Sequence, residues 1–133
     1  MNKYEVGKIY KGFVNEVDIL ILGVSIPADS VRYFEFKNWK IGTAPLKRML
    51  NSLFFPSDSK YFFAVTSTYD NGDVQWHHQS HSYNEAARIY NGLVKHIGKN
   101  EVLELRVAES DSELEDNYSN IITHEYGKMI KWA

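Results

Sequence analysis

The chain contains no cysteine. That absence removes disulfides, thiolate metal sites and cysteine nucleophiles together, and it favours a reducing compartment. Long hydrophobic runs are missing as well. The longest, ILILGV at 19–24, has the length of a strand and falls far short of the roughly 18–20 apolar residues of a spanning helix. The opening MNKYEVGKIYKGF carries charges but no apolar stretch ahead of a cleavage site, so no signal peptide is expected. The expectation is a soluble cytoplasmic protein that engages no membrane. Proline occurs only three times, and no Pro/Ser-rich linker, low-complexity tract or sequence repeat divides the 133 residues. A single globular domain over 1–133 is therefore expected.

A basic surplus is also absent. The formal net charge is −2, whereas proteins that bind nucleic acid by neutralising phosphates usually carry an excess of Lys and Arg. The charge is unevenly spread, about +3 over residues 1–60 and −5 over 61–133. Any basic patch is local, with Lys37, Trp39, Lys40, Lys47 and Arg48 as its best source; a nucleic-acid-binding domain built on them stands as a second alternative function, one the overall charge does not indicate.

What is present reads as strands and two helices. YEVGKIYKGFV and VDILILGVSI are strand-like, the second apolar enough to sit centrally in a sheet. VRYFEFKNW alternates, with Val31, Tyr33 and Glu35 on one side and Arg32, Phe34 and Phe36 on the other. GTAPLKRMLNSLFFP changes period: Leu46, Met49, Leu50 and Leu53 follow the spacing of one helical face, behind Thr43 as N-cap and Pro45 in the first turn. Asn71-Gly72 between two β-rich runs marks a hairpin. The run SYNEAARIYNGLVKHIG then has a capping box in Ser82 and Glu85, a buried stripe of Ala86, Tyr90, Leu93, Val94 and Ile97, and Gly98 as its stop. NEVLELRVAE is a strand. In the tail, EYGK between short β-branched runs favours a hairpin over a helix. Together these predict an α+β domain: an antiparallel or mixed sheet of about five to seven strands with two helices packed on one face.

Three of the five histidines fall in QWHHQSHSYNE. With Asn71-Gly72 as a two-residue loop, Ser67 faces Trp76 and Val65 faces His78. Alternation then puts Trp76 and His78 on the core side with Phe63 and Val65, and His77 on the polar side with Thr66 and His81. His77 and His81 would stand about 13 Å apart at about 3.3 Å per residue, too far to share one metal ion. No metal and no cofactor are expected. General acid–base chemistry needs a proton acceptor, a donor and a cation for phosphate. His77, His81, Glu85 and Arg88 form the one candidate set for it, that of a small nuclease or phosphoesterase. Phosphate-loop, dinucleotide, nucleophile-elbow and zinc-protease motifs are absent.

The acidic run ESDSELED supplies Glu109, Asp111, Glu113, Glu115 and Asp116. It lacks the spacing and central glycine of a calcium loop. Clustered carboxylates can steer a basic protein, and Tyr118 and Trp132 nearby are the residue types that anchor interfaces. The leading expectation is a protein-binding module that acts by stoichiometric association, as inhibitors, immunity-type proteins and anti-defence proteins do. Its partner would be another protein with a basic surface, met by Glu109, Asp111, Glu113, Glu115, Asp116 and Tyr118. The sequence leaves the oligomeric state open.

Overall fold

The computed structural model describes residues 4–126 and 128–132; among the last five, Ile130 alone has a described side chain. Contacts gather the chain into two compact units, Met1–Ser59 and Lys60–Ala133. Each holds one antiparallel sheet.

In the first unit the chain runs β1 (Ile9–Gly12), β2 (Asp18–Ser25), β3 (Ser30–Glu35), β4 (Lys40–Ala44), α1 (Leu46–Leu50) and β5 (Phe54–Pro56). The sheet order is β4-β3-β2-β1-β5, so the apolar run ILIL lies in the central strand, as its composition predicts. The three hairpin connections contain Glu16, Asp29 and Trp39, all with φ near +50°. A left-handed backbone strains a non-glycine residue by about 1–3 kcal/mol. For Trp39 that strain is offset by edge-to-face contacts with Phe34 and Phe36, at 6.0 and 5.5 Å between ring centroids. One core gathers Tyr4, Tyr10, Ile19, Ile21, Val31, Leu46 and Met49. The buried Tyr4 hydroxyl finds an acceptor in the Met49 carbonyl at 2.7 Å, which ties α1 to the N-terminal segment.

The second unit runs β6 (Phe62–Tyr69), β7 (Val74–Ser80), α2 (Tyr83–Leu93), β8 (Glu101–Ala108), α3 (Glu113–Asp116), β9 (Ser119–Glu125) and β10 (Lys128–Trp132), with order β10-β9-β8-β6-β7. α2 starts where the capping box predicts, the Ser82 side chain accepting from the Glu85 N–H. It covers the face that carries Phe63, Val65, Leu103, Leu105 and Val107. Tyr83 packs edge-on to Phe63, and the Tyr90 hydroxyl donates to the Leu103 carbonyl. The opposite face is partly covered by α3, whose Leu114 packs on Ala64 and Ala108. The tail forms the expected hairpin, β9 with β10.

The expected fold class, α+β with one sheet and two helices on one face, is overturned. The protein is mostly β, two antiparallel sheets with three short helices. The Leu46–Leu53 stripe explains the difference. Leu46 and Met49 are buried, but α1 stops at Leu50, which is exposed, as is Leu53. The chain turns over residues 51–53, and Phe54–Pro56 form β5 and pair with β1. Thr43, expected as the N-cap, lies in β4 opposite Arg32. No helix among the described residues is long and apolar enough to cross a membrane.

Candidate functional site

The hairpin of β6 and β7 decides which side chains reach the α3 side of the second sheet. Its turn holds three residues, not two: the Tyr69 N–H bonds the Asp73 carbonyl and the Gly72 N–H bonds the Tyr69 carbonyl, with Gly72 at φ +91°. This is the turn in which a left-handed third residue suits glycine. The extra residue pairs Thr68 with Val74 and Thr66 with Trp76. A bulge opposite Val65/Thr66 then absorbs the offset, so that Val65 meets His78 as expected. Between those two registers Trp76 changes sides. It leaves the α2 face, where the two-residue loop had placed it, and joins Thr66, Thr68, Glu104 and Arg106.

The same bulge corrects the histidine geometry. His77 and His78 lie on one side and do not alternate. His77 Nε2 is 2.7 Å from Ser67 Oγ, and that hydroxyl also donates to Glu101. His78 Nε2 is 2.8 Å from Ser80 Oγ. His81 places Nδ1 3.0 Å from the Tyr61 carbonyl and its ring against Phe62. Glu85 and Arg88 are exposed on α2. Among the described residues no hydrogen bond or ion pair joins His77, His81, Glu85 and Arg88 to one another. Among the described residues no three His, Asp or Glu side chains are grouped to hold a metal ion.

A built arrangement stands on the α3 side, around Arg106. Its guanidinium donates through Nη1 to the Leu114 carbonyl at 3.0 Å and through Nη2 to Glu104 Oε1 at 3.2 Å. The Cζ atom lies 3.9 Å from the Tyr118 ring centroid and 5.2 Å from that of Trp76. Arg106 is 3% exposed and Glu104 9%. Glu104 also accepts from Thr68 Oγ1 and Asn120 Nδ2, so the carboxylate is shared by β6, β8 and β9. Burial first, then the negative charge of Glu104, pushes the Tyr118 hydroxyl above its ordinary value, with Arg106 opposing; it stays protonated at neutral pH. Three buried atoms on this face of the sheet lack a hydrogen-bond partner among the described residues: Thr66 Oγ1, Arg106 Nε and Asn120 Oδ1. Buried polar atoms are as a rule paired, and of these three only Arg106 Nε belongs to a residue that forms the floor of the recess above.

Above the floor is a recess of about 540 Å³, walled by Val74, Trp76, Val102, Glu115 and Tyr118. A second recess of about 510 Å³ shares Trp76 and Glu115 and adds Gln79, Ser110, Asp111 and Ser112. The acidic segment thus divides by role. Glu113 is held inside it, accepting from Ser110 Oγ and Asn117 Nδ2. Asp111 and Glu115 line the recesses, Tyr118 stacks on Arg106, and Glu109 and Asp116 are exposed. The Trp132 side chain lies outside the described residues.

Sequence reasoning missed Trp76, Glu104 and Arg106. A signal existed for the last two, since charged residues two apart in an otherwise apolar strand mark one polar face. Comparison with protein-family models, with curated proteins and with solved structures finds no match to the chain.

Proposed function

We propose that the protein is a non-enzymatic protein-binding module whose recess on the α3 side of the second sheet receives a basic side chain of a partner protein. One observation carries this reading. The acidic segment is folded so that Glu115 stands beside Trp76 and Tyr118, over a floor where a cation, Arg106, already lies against both rings. Aromatic faces attract a cation within about 6 Å of the ring centroid. The carboxylates of Glu104, Glu115 and Asp111 outnumber the single cation of the floor. Trp76, 39% exposed, is a residue type that carries interface energy, and the exposed Glu109 and Asp116 steer a basic surface toward it. Stoichiometric association requires nothing more of the protein.

The test is titration of the full chain with acetyl-tetraarginine amide, followed by backbone amide shifts. Saturable binding is expected, with shifts concentrated at residues 74–79, 102–106 and 110–118, and about tenfold weaker binding in an Asp111→Asn, Glu115→Gln double variant. Glu113 is left alone because it holds the segment together. A tetraglutamate peptide should not bind. Shifts spread evenly over all acidic residues, or a double variant that binds as well as the wild type, would overturn the reading.

A further inference from the structure

The first unit carries a cleft that the proposed function does not use. Its volume is about 390 Å³, within the roughly 300–1,000 Å³ range of small-molecule sites. The floor is made by the side of the core that remains partly open: Val17, Tyr33, Ala44 and Phe54 are packed against Ile19 and Met49 but only half-buried. One wall is preformed. A Cβ on Gly42 would lie 2.8 Å from the Tyr33 ring, so the missing side chain lets that ring lie flat across β4.

The rim is cationic. Lys37 and Arg48 line it, both exposed and neither in an ion pair with a described residue. Arg48 gets there because α1 buries Met49, which turns its neighbour outward to the edge of the cleft. The nearby Asp29 carboxylate is engaged elsewhere, accepting from the Lys47 N–H. Glu35 is the one acidic side chain of the lining, and its carboxylate accepts from Asn38 Nδ2 at 2.7 Å. Two cations against one carboxylate leave the rim net positive over an apolar, aromatic floor.

We infer that this cleft is a second binding site, for a small organic anion with an apolar body and one carboxylate, sulfonate or phosphate group. The body replaces water on Val17, Tyr33, Met49 and Phe54, and the anionic group bonds to Arg48 and Lys37. This site is independent of the recess in the second unit, and either assignment can fail without the other.

The test titrates the full chain with 2-naphthoate, its neutral relative 2-naphthamide and the cationic 2-naphthylmethylammonium, following backbone amide shifts. The expected result is saturable binding of 2-naphthoate with shifts at residues 15–19, 33–38 and 42–54. Binding should be about tenfold weaker for the amide, and also in a Lys37→Gln, Arg48→Gln double variant, since hydrogen bonds to a charged group are the stronger kind. The ammonium compound should not bind. These two positions are exposed, so the variant keeps its fold, which the unperturbed amide spectrum of the second unit and of β2 will verify. Equal affinity for naphthoate and naphthamide, unchanged binding in the double variant, or shifts lying outside the cleft would each overturn the inference.

Discussion

Arg106 is a charged residue in the middle of an apolar strand, and its neighbours account for its position. The guanidinium is planar, so it can lie against the Tyr118 ring while its edge bonds both Leu114 and Glu104. A lysine ammonium has neither the plane nor the fork. Replacing Arg106 by alanine leaves the Glu104 carboxylate buried without its cation, and truncating one member of a buried pair typically costs about 3–5 kcal/mol. Urea unfolding of Arg106→Ala should show a loss of that size, and Arg106→Lys should recover only part of it. A loss below about 1 kcal/mol, the value of an exposed pair, would mean that Thr68 and Asn120 alone satisfy Glu104. His124 gives a second prediction at this scale. Its Nδ1 is 2.7 Å from the buried Tyr90 hydroxyl, and burial pushes the imidazole below its ordinary 6.5. The folded chain therefore holds this proton less tightly than the unfolded chain. The associated stability is complete above 6.5 and is lost as pH falls from there through the folded-state value. The thermal midpoint should fall between about pH 7 and pH 5, and His124→Gln should flatten that part of the curve. An unchanged slope would place the titration elsewhere.

Among the elements, legibility follows the range of the interactions that end each one. α2 was readable because its cap is local: Ser82 bonds the N–H of Glu85, three residues on. Ser82→Ala should cost about 1 kcal/mol in chemical unfolding. α1 was misread because its cap is not local. The first helical N–H groups are served by Asp29, in the turn between β2 and β3, through its carbonyl to Leu46 and its carboxylate to Lys47. Asp29→Ala should therefore destabilise the first unit by about 1 kcal/mol or more. Thr43→Ala, on an exposed position of β4, should stay within about 0.5 kcal/mol. If Thr43 proved the costlier substitution, the local cap would be the operative one after all. β4 itself escaped notice because KIGTA lacks an apolar alternation, and because the turn before it uses Trp39 in a left-handed conformation that no composition rule suggests. The β6–β7 hairpin shows partial legibility. Asn71-Gly72 located the turn correctly, but the choice between two and three loop residues depends on Gly72 φ and on the bulge at His77.

For the whole molecule, the sheet orders predict where backbone amides are slowest to exchange. In the first unit β2 is internal, paired by β3 over Ile19–Ser25 and by β1 over Asp18–Leu20, while β4 and β5 are edges. In the second, β6 and β8 are internal, and β7 and β10 are edges. Amide exchange read by mass spectrometry should protect β2, β6 and β8 longest and release β4, β5 and β7 first, since paired interior strands open only with larger structural units. Early exchange in β8 would contradict the strand order. The candidate site was legible only in part. The acidic segment and Tyr118 drew attention by composition, while their partners sit earlier in the chain, Trp76 on β7 and Glu104 and Arg106 on β8.

Sequence alone determined what rests on composition and short-range chemistry: the absence of thiol chemistry, the central place of ILIL, the location of the Asn71-Gly72 hairpin and the start of α2. Tertiary structure decided that there are two sheets where one was expected, and that the helix after Pro45 stops at Leu50, ahead of a strand. It also decided on which side Trp76 emerges. The physical reason is the two-residue period of a strand. One extra residue in a turn moves every following side chain to the other face until a bulge restores the register. That choice is made by long-range pairing and burial, which local propensity does not encode.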